Sequence, residues 1–280
     1  MGDASMHEKV LVIEPGRAEK NYWSDLWRYR ELFLVLAWRD ISVRYKQTII
    51  GILWAIIRPV LAMVVFTVVF SRIAKLPSDG SAPYALMVFA AMLPWSLFSN
   101  ALGESSGSLI NNASLIGKIY FPRLIIPTAT LLTALIDFLI SFIILIGMMA
   151  YYQFAPGWRM LLLSAFTMLA LMASLGPGLW VTALNVKYRD FRYIIPFVVQ
   201  FGLYVSPVGF SSSNVPEQWR LIYSLNPMVG VIDGFRWCIL GANSPVYMPG
   251  FLLSIAISAF FLYLGLSRFR RMEKKFADLI

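Results

Sequence analysis

Asn185-Val-Lys-Tyr-Arg-Asp-Phe-Arg192 runs directly into Tyr193-Ile-Ile-Pro-Phe-Val-Val-Gln-Phe-Gly-Leu-Tyr204, followed by Val205-Ser-Pro-Val-Gly-Phe210. A charged turn feeds an apolar helix, and the chain repeats that alternation along its length. Within this helix Tyr193, Phe197, Phe201 and Tyr204 recur at spacings of four, four and three, which sets the four rings on one face of a 3.6-residue period. Such a stripe either packs against neighbouring helices and lipid or lines a pathway, and the residues alone leave both open.

Working outward, 59% of the 280 residues are hydrophobic and 14% charged. The apolar residues come in long runs, which defines a polytopic, all-α membrane protein. A spanning helix needs ~20 apolar residues, and six segments qualify, at about 49–70, 84–102, 124–152, 160–184, 193–210 and 248–266. Of the 24 Lys and Arg, the outer segments hold only Arg72, Lys75, Arg159, Arg220 and Arg236, so the positive-inside rule predicts cytoplasmic termini. A seventh candidate, Leu221 to Leu240, carries Asp233 and Arg236 and is bracketed by Pro216, Pro227 and Pro245. Counting it would put Arg268 to Lys275 outside. It reads instead as re-entrant helices that dip into the outer leaflet between spans five and six.

Residues 1–22 are polar and without period, and are expected to form a mobile cytoplasmic tail with no cleaved signal peptide. Residues 23–46 are amphipathic. With Ser24 as N-cap, Leu26, Tyr29, Phe33, Leu36, Ala37 and Ile41 share one helical face bordered by Trp23, Trp27 and Trp38, which predicts a helix lying in the membrane interface. The six-span domain then occupies 47–272 and a short cytoplasmic tail 273–280. Between spans two and three, Leu109, Ile110, Leu115, Ile116 and Ile119 are too few to cross but give a short helix one apolar face on which a partner could dock.

The chemistry-bearing residues are few. A single Cys238 and a single His7 exclude disulfide frameworks, Cys/His metal sites and His-based nucleophile relays. Gly117-Lys118 has neither a glycine five residues earlier nor a following Ser or Thr, so nothing cradles a nucleotide phosphate, and energy must come from another polypeptide. Within the spans two charges stand out, Arg58 and Asp137. Each costs at least ~2.5 kcal/mol in a bilayer and must be paired or face water. They either pair with one another or with backbone, or Arg58 faces a pathway where its guanidinium suits a phosphate.

Four segments together resemble the permease subunits of type-2 ATP-binding-cassette exporters, in the branch that exports lipid-linked polysaccharide. They are Arg44-Tyr45-Lys46 with Gly51-Ile-Leu-Trp54 and Pro59; Ile119-Tyr-Phe-Pro-Arg123 with Pro127 and Asp137; Arg189-Asp190 before Tyr204-Val-Ser-Pro207; and Asn226-Pro227-Met228 with Gly234-Phe-Arg236 and Leu240-Gly241. The resemblance implies an inner-membrane homodimer with two cytoplasmic nucleotide-binding ATPase subunits. ATP and Mg would sit on those subunits, with no cofactor, metal or nucleic acid on this chain. It makes Trp54, Arg58 and Phe66 of the first span, with Tyr193, Phe197, Phe201 and Tyr204 of the fifth, candidates for the substrate pathway. Coupling to the ATPase would fall on Leu109, Asn112, Leu115, Ile116, Lys118 and Ile119, with Arg189 and Asp190. The outer gate would include Ser206, Pro207, Asn226, Pro227 and Arg236. Arg28, Arg30, Arg39 and Arg44 could recruit a diphosphate head group or simply answer anionic lipid. An exporter of drugs or small lipids shares the same plan. An envelope transferase would be equally hydrophobic and basic, but should cluster His, Asp or Glu at a membrane face.

Overall fold

The computed structural model describes residues 22–46, 49–80, 82–155, 157–188, 190–241, 244, 246–273 and 276. The expected tail through residue 21, Arg189 and most of the C-terminal tail lie outside these residues. Among the described residues there is no strand.

The chain opens on α1 (Tyr22–Arg28) and α2 (Arg30–Tyr45), broken at Tyr29. Ser24 therefore lies inside a helix rather than capping one, and Tyr22 is a buried helical residue rather than the end of a tail. The guanidinium of Arg270 sits 4.8 Å from the Tyr22 ring centre, which fixes the start of α1. Leu36 and Ala37 of α2 are buried, with Leu26, Tyr29 and Phe33 packed beside them, while Trp23, Trp27 and Trp38 face outward as the amphipathic pattern requires.

Next come α3 (Ile49–Phe66), α4 (Tyr84–Asn111), the single turn α5 (Ala113–Ile116) and α6 (Ile125–Tyr151). Past its end α3 widens into a π-helical stretch, Thr67–Ile73. A 3₁₀ turn, Trp158–Leu162, leads into α7 (Leu163–Lys187), and α8 covers Phe191–Val205. After a 3₁₀ turn at Ser212–Asn214 the chain forms α9 (Glu217–Tyr223), α10 (Pro227–Leu240) and α11 (Met248–Glu273).

Five of these stretches are long and apolar enough to cross a membrane: Leu53–Ile73, Tyr84–Asn111, Ile125–Tyr151, Trp158–Lys187 and Met248–Glu273. The expected fifth span, 193–210, differs. Its helix has 15 residues, about 22 Å at 1.5 Å per residue, which falls short of a ~30 Å hydrocarbon core. Pro207 supplies the reason, because the residue before a proline is driven to extended backbone, and Ser206 has φ −81° and ψ 152°. Residues 221–240 likewise divide, at Asn226-Pro227. There Asn226 Oδ1 caps α10 by accepting from Met228 N at 3.0 Å, and proline occupies the first turn, where its missing N–H is harmless.

Lipid tails are as apolar as leucine, so helices in a bilayer associate through close packing and polar stitches rather than through exclusion of water. The sequence provides both at the centre of the bundle. A Cβ added at Gly265 of α11 would lie 2.1 Å from the Gly176 carbonyl oxygen of α7, so the two backbones touch. Across α4, Thr182 Oγ1 donates to Ser105 O at 2.6 Å and Asn185 Nδ2 to Ser106 O at 2.7 Å. The result is asymmetric burial. In its most apolar window α4 has 72% of residues buried, whereas α3 has 6%. One hydrophobic cluster gathers α4 with Phe138, Phe166 and Phe235; a second, at the end of the bundle where α2 lies, joins Leu36 and Ala37 to Leu109, Phe121, Ile125, Leu179 and Phe269.

Candidate functional site

The C-terminal end of α2 is tied to two apolar helices by a polar cluster. Arg44 Nη1 donates to Asp137 Oδ2 of α6 at 2.7 Å and pairs through Nη2 with Glu104 of α4. Asn100 Nδ2 of α4 donates to the same Asp137 oxygen at 3.3 Å, and the Tyr45 hydroxyl donates to Oδ1. Burial pushes the Tyr45 phenol above its ordinary range, and the hydrogen bond to Asp137 and its negative charge add to the effect, so Tyr45 remains a donor. Five residues earlier, Arg39 Nη2 donates to Asn112 Oδ1 at 2.8 Å, and Asn112 Nδ2 donates to Ser108 O at 2.9 Å.

This cluster accounts for one of the two in-span charges. Asp137 takes its donors from Arg44, Tyr45 and Asn100, and the Arg58–Asp137 pair, one of the alternatives left open by the sequence, does not form. Arg58 is exposed on α3 with no hydrogen bond or ion pair to the described residues, one turn beyond the exposed Trp54. Arg44, expected among the head-group residues, is engaged inside the chain. Arg28 and Arg30 remain exposed, Arg30 lying 5.7 Å from the Trp27 ring centre.

The aromatic stripe of α8 faces away from the bundle. Tyr193, Phe197, Phe201 and Tyr204 are 78%, 68%, 61% and 61% exposed. Phe197 and Phe201 stack at 6.1 Å and 11°, and Tyr204 continues the series onto Phe66 of α3 at 6.5 Å and 12°. Phe66 itself is buried, with Phe70 against it at 5.5 Å, so it anchors the stripe rather than opening onto it. Gly202 lets α8 seat on α4, since a Cβ there would meet the Trp95 ring at 2.8 Å.

The coupling loop is reorganised relative to its sequence reading. Helix α4 runs through to Asn111, and Leu109 and Ile116 point into the chain's own core with Leu115 half-buried beside them. Asn112 is buried and held by Arg39. Residues just before and after turn outward instead: Ile110, Lys118, Ile119 and Tyr120 are exposed. A single turn as short as α5 cannot bury one apolar face and present another. Asp190 is exposed at the start of α8, while Arg189 lies outside the described residues.

At the opposite end of the bundle the structure brings Ser206, Pro207, Asn226 and Pro227 together, with Asn226 Nδ2 donating to Ser206 Oγ at 2.9 Å. Arg236 is fully buried. Its guanidinium donates to Phe210 O at 2.8 Å, Val208 O at 3.0 Å and Met87 O at 3.4 Å, so it pins the chain after α8 to α10 and α4. Tyr223 and Tyr84 add to this fastening, donating to Val205 O at 2.8 Å and to Gly209 O. Sequence reasoning missed Asn100 and Glu104 at one end and Tyr84, Ser212 and Tyr223 at the other, and noted Tyr45 and Asp233 without the partners the structure gives them. A signal existed for the first group, since a carboxylate within an apolar run requires donors and Arg44-Tyr45 lie just before the first such run.

A family model described as ABC-2 type transporter matches residues 31–240. The O-antigen export system permease protein RfbA of Myxococcus xanthus is 27% identical over 259 residues, covering 91% of this chain and 98% of the relative. The RfbA protein of Klebsiella pneumoniae is 24% identical over 257 residues, 89% of this chain and 95% of the relative. The capsule polysaccharide export inner-membrane protein CtrC of Neisseria meningitidis serogroup A is 24% identical over 249 residues, 85% of this chain and 90% of the relative. With a match across most of its length and five apolar helices able to cross a bilayer, the chain belongs to the ABC-2 type transporter family and is a multi-pass inner-membrane permease.

Proposed function

We propose that this permease is the membrane-spanning subunit of an ATP-driven exporter that moves a polyprenyl-diphosphate-linked polysaccharide, O-antigen or a similar glycan, out of the cytoplasm. Two copies form a homodimer, and two separate nucleotide-binding subunits supply ATP hydrolysis. Helix α8, together with residues 206–210, serves as the fifth of six spans; α9 and α10 form the re-entrant outer gate; both termini are cytoplasmic. Closure of the ATPase subunits pushes on α2, on α5 and on the exposed Ile119 and Tyr120. The polar cluster at Asp137 carries that push into α4 and α6. The two copies of α3 and α8 then separate and the glycan threads between them.

The observation that carries this reading is the near end-to-end match to permeases named for O-antigen export, each covered over at least 95% of its length. The exposed rings of α8 support it physically. Aromatic faces stack on the apolar faces of sugar rings without fixing one register, which suits a polymer that must slide. The test is to deplete the protein and locate lipid-linked glycan on each side of the inner membrane. Full-length glycan trapped on the cytoplasmic side is the expected result. Surface glycan that persists unchanged would reject the polysaccharide reading.

A further inference from the structure

At the end of the bundle away from α2, a cavity of about 190 Å³ opens between the 3₁₀ turn at Ser212–Asn214, α9, the start of α10 and the residues just before α11. Its polar lining includes Ser212, Ser213, Arg220, Tyr223, Asp233 and Tyr247. The carboxylate of Asp233 is buried, accepts from Ser212 Oγ at 2.6 Å and has no salt bridge among the described residues. Arg236, one turn along the same helix, directs its N–H groups to carbonyls instead. A buried carboxylate held by one hydroxyl lacks donors for its remaining lone pairs. Opposite it, Arg220 uses Nε on Val215 O at 3.0 Å and Nη2 on Ser213 O at 2.9 Å, and its Nη1 is left without a protein acceptor among the described residues.

The cavity therefore offers an acceptor, a donor, hydroxyls and two tyrosine rings. A lone cation would be opposed by Arg220 and Arg236, and a lone anion by Asp233. Adjacent hydroxyls of a neutral sugar satisfy both sides, donating to the carboxylate and accepting from the guanidinium. The volume is below the ~300–1,000 Å³ of drug-sized sites, which suits one ring and not a longer segment.

We propose that this cavity is a monosaccharide subsite that holds one pyranose ring of the glycan as it leaves the membrane. The inference rests on the export reading above. Bound in turn by successive rings, the subsite favours outward over backward movement of the polymer, and Asp233 selects for adjacent free hydroxyls.

The test uses the complete permease–ATPase complex in lipid nanodiscs. Saturation-transfer NMR is recorded with a panel of neutral monosaccharides: glucose, galactose, mannose, rhamnose and N-acetylglucosamine. At least one should receive transfer from the wild-type complex. That sugar should bind about tenfold more weakly to Asp233→Asn, which keeps an acceptor for Ser212 but loses the charge. Tyr247→Ala should weaken it as well, while Ile143→Ala, exposed on α6 and outside the cavity lining, leaves it unchanged. ATPase activity of each variant complex checks folding. Two results overturn the subsite: no transfer to any of the five sugars, or equal binding by wild type and both cavity variants. Complementation separates this from the parent reading. A permease that restores surface glycan to a deletion strain yet binds no monosaccharide refutes the cavity alone, whereas one whose deletion leaves surface glycan unchanged refutes export itself.

Discussion

Asp137→Asn, combined with Arg44→Gln, tests the cluster that joins α2 to the spans. Asp137 accepts from Arg44 Nη1 at 2.7 Å, from Asn100 at 3.3 Å and from the Tyr45 hydroxyl. Hydrogen bonds to a charged partner contribute ~1.5–3 kcal/mol each. Here the figure must be discounted, because the side chains of Arg44 and Asp137 keep 38% and 19% of their exposure. The asparagine retains one acceptor oxygen for Tyr45 but places an amide group against Arg44. A loss of about 1–2 kcal/mol follows for either single variant. Glu104 still faces Arg44 in Asp137→Asn, which holds the loss toward the lower end. Because the two changes remove the same contact, the double variant should lose about 1 kcal/mol less than the sum. The assay is reversible unfolding of the purified permease in mixed micelles, run as a double-mutant cycle, with Arg58→Gln and Asp137→Asn as the parallel control. Additivity within ~0.5 kcal/mol for Arg44 with Asp137 would refute the pairing, and coupling of Arg58 with Asp137 would restore the pair that the structure rejects.

Alanine at Tyr193, Phe197, Phe201 and Tyr204 together should lower glycan export while leaving the permease–ATPase complex intact on purification, since all four rings face outward; full export by that variant removes the stripe from the mechanism. Gly265→Ala should destabilise the bundle by about 1–3 kcal/mol, because its Cβ would overlap the Gly176 carbonyl and force α7 and α11 apart. Unfolding midpoints of the purified variant check this, and an unchanged midpoint refutes the close approach. Arg236→Met should cost about 2–4 kcal/mol by leaving the carbonyls of Val208 and Phe210 without donors. Protease sensitivity of residues 206–216 should rise with it; unchanged proteolysis would mean that these carbonyls do not depend on Arg236.

Helix positions were legible because bilayer thickness fixes a length and lipid fixes a composition, so Leu124 to Tyr152 announces itself without knowledge of its neighbours. The aromatic stripe was legible for the same reason, since four rings at helical spacing share a face whatever that face meets. Partners were not. Arg58 and Asp137 are the two charges lying deepest in the apolar runs, and pairing them was the simplest solution in one dimension; the structure brings Asp137 instead to the end of α2, 93 residues away from it in sequence at Arg44. The loop after α4 failed differently. Its apolar residues were read as one face able to dock on a partner, yet Leu109 and Ile116, with Leu115 beside them, belong to the same buried cluster as Leu36 and Ala37 of α2. Asp233 and Arg236 were recognised as too polar to span, but which groups satisfy them depends on where residues 208–213 return after Pro207, and no local pattern encodes that.

The uneven burial carries a further step. Helix α4 is packed on nearly every side, while α3 meets the bundle along a narrow edge and α8 presents its rings outward. Lipid alone could cover both faces, since aliphatic tails tolerate exposed Val and Leu. It does not as readily cover Arg58, a charge partway along α3 without a partner in the described residues, on the same side of that helix as Trp54. A guanidinium at membrane depth needs water, an anion or another protein surface. The proposed second copy answers this, because two α3–α8 faces opposed across a water-filled seam would hydrate Arg58 and bring both stripes to one lumen. Arg58→Leu discriminates the two cases. If α3 faces lipid, removing the charge should leave export intact and raise stability by up to ~3 kcal/mol. If α3 lines the seam, stability should change little and export should fall, and an export-competent, stabilised Arg58→Leu would place α3 against lipid and leave the dimer to form elsewhere.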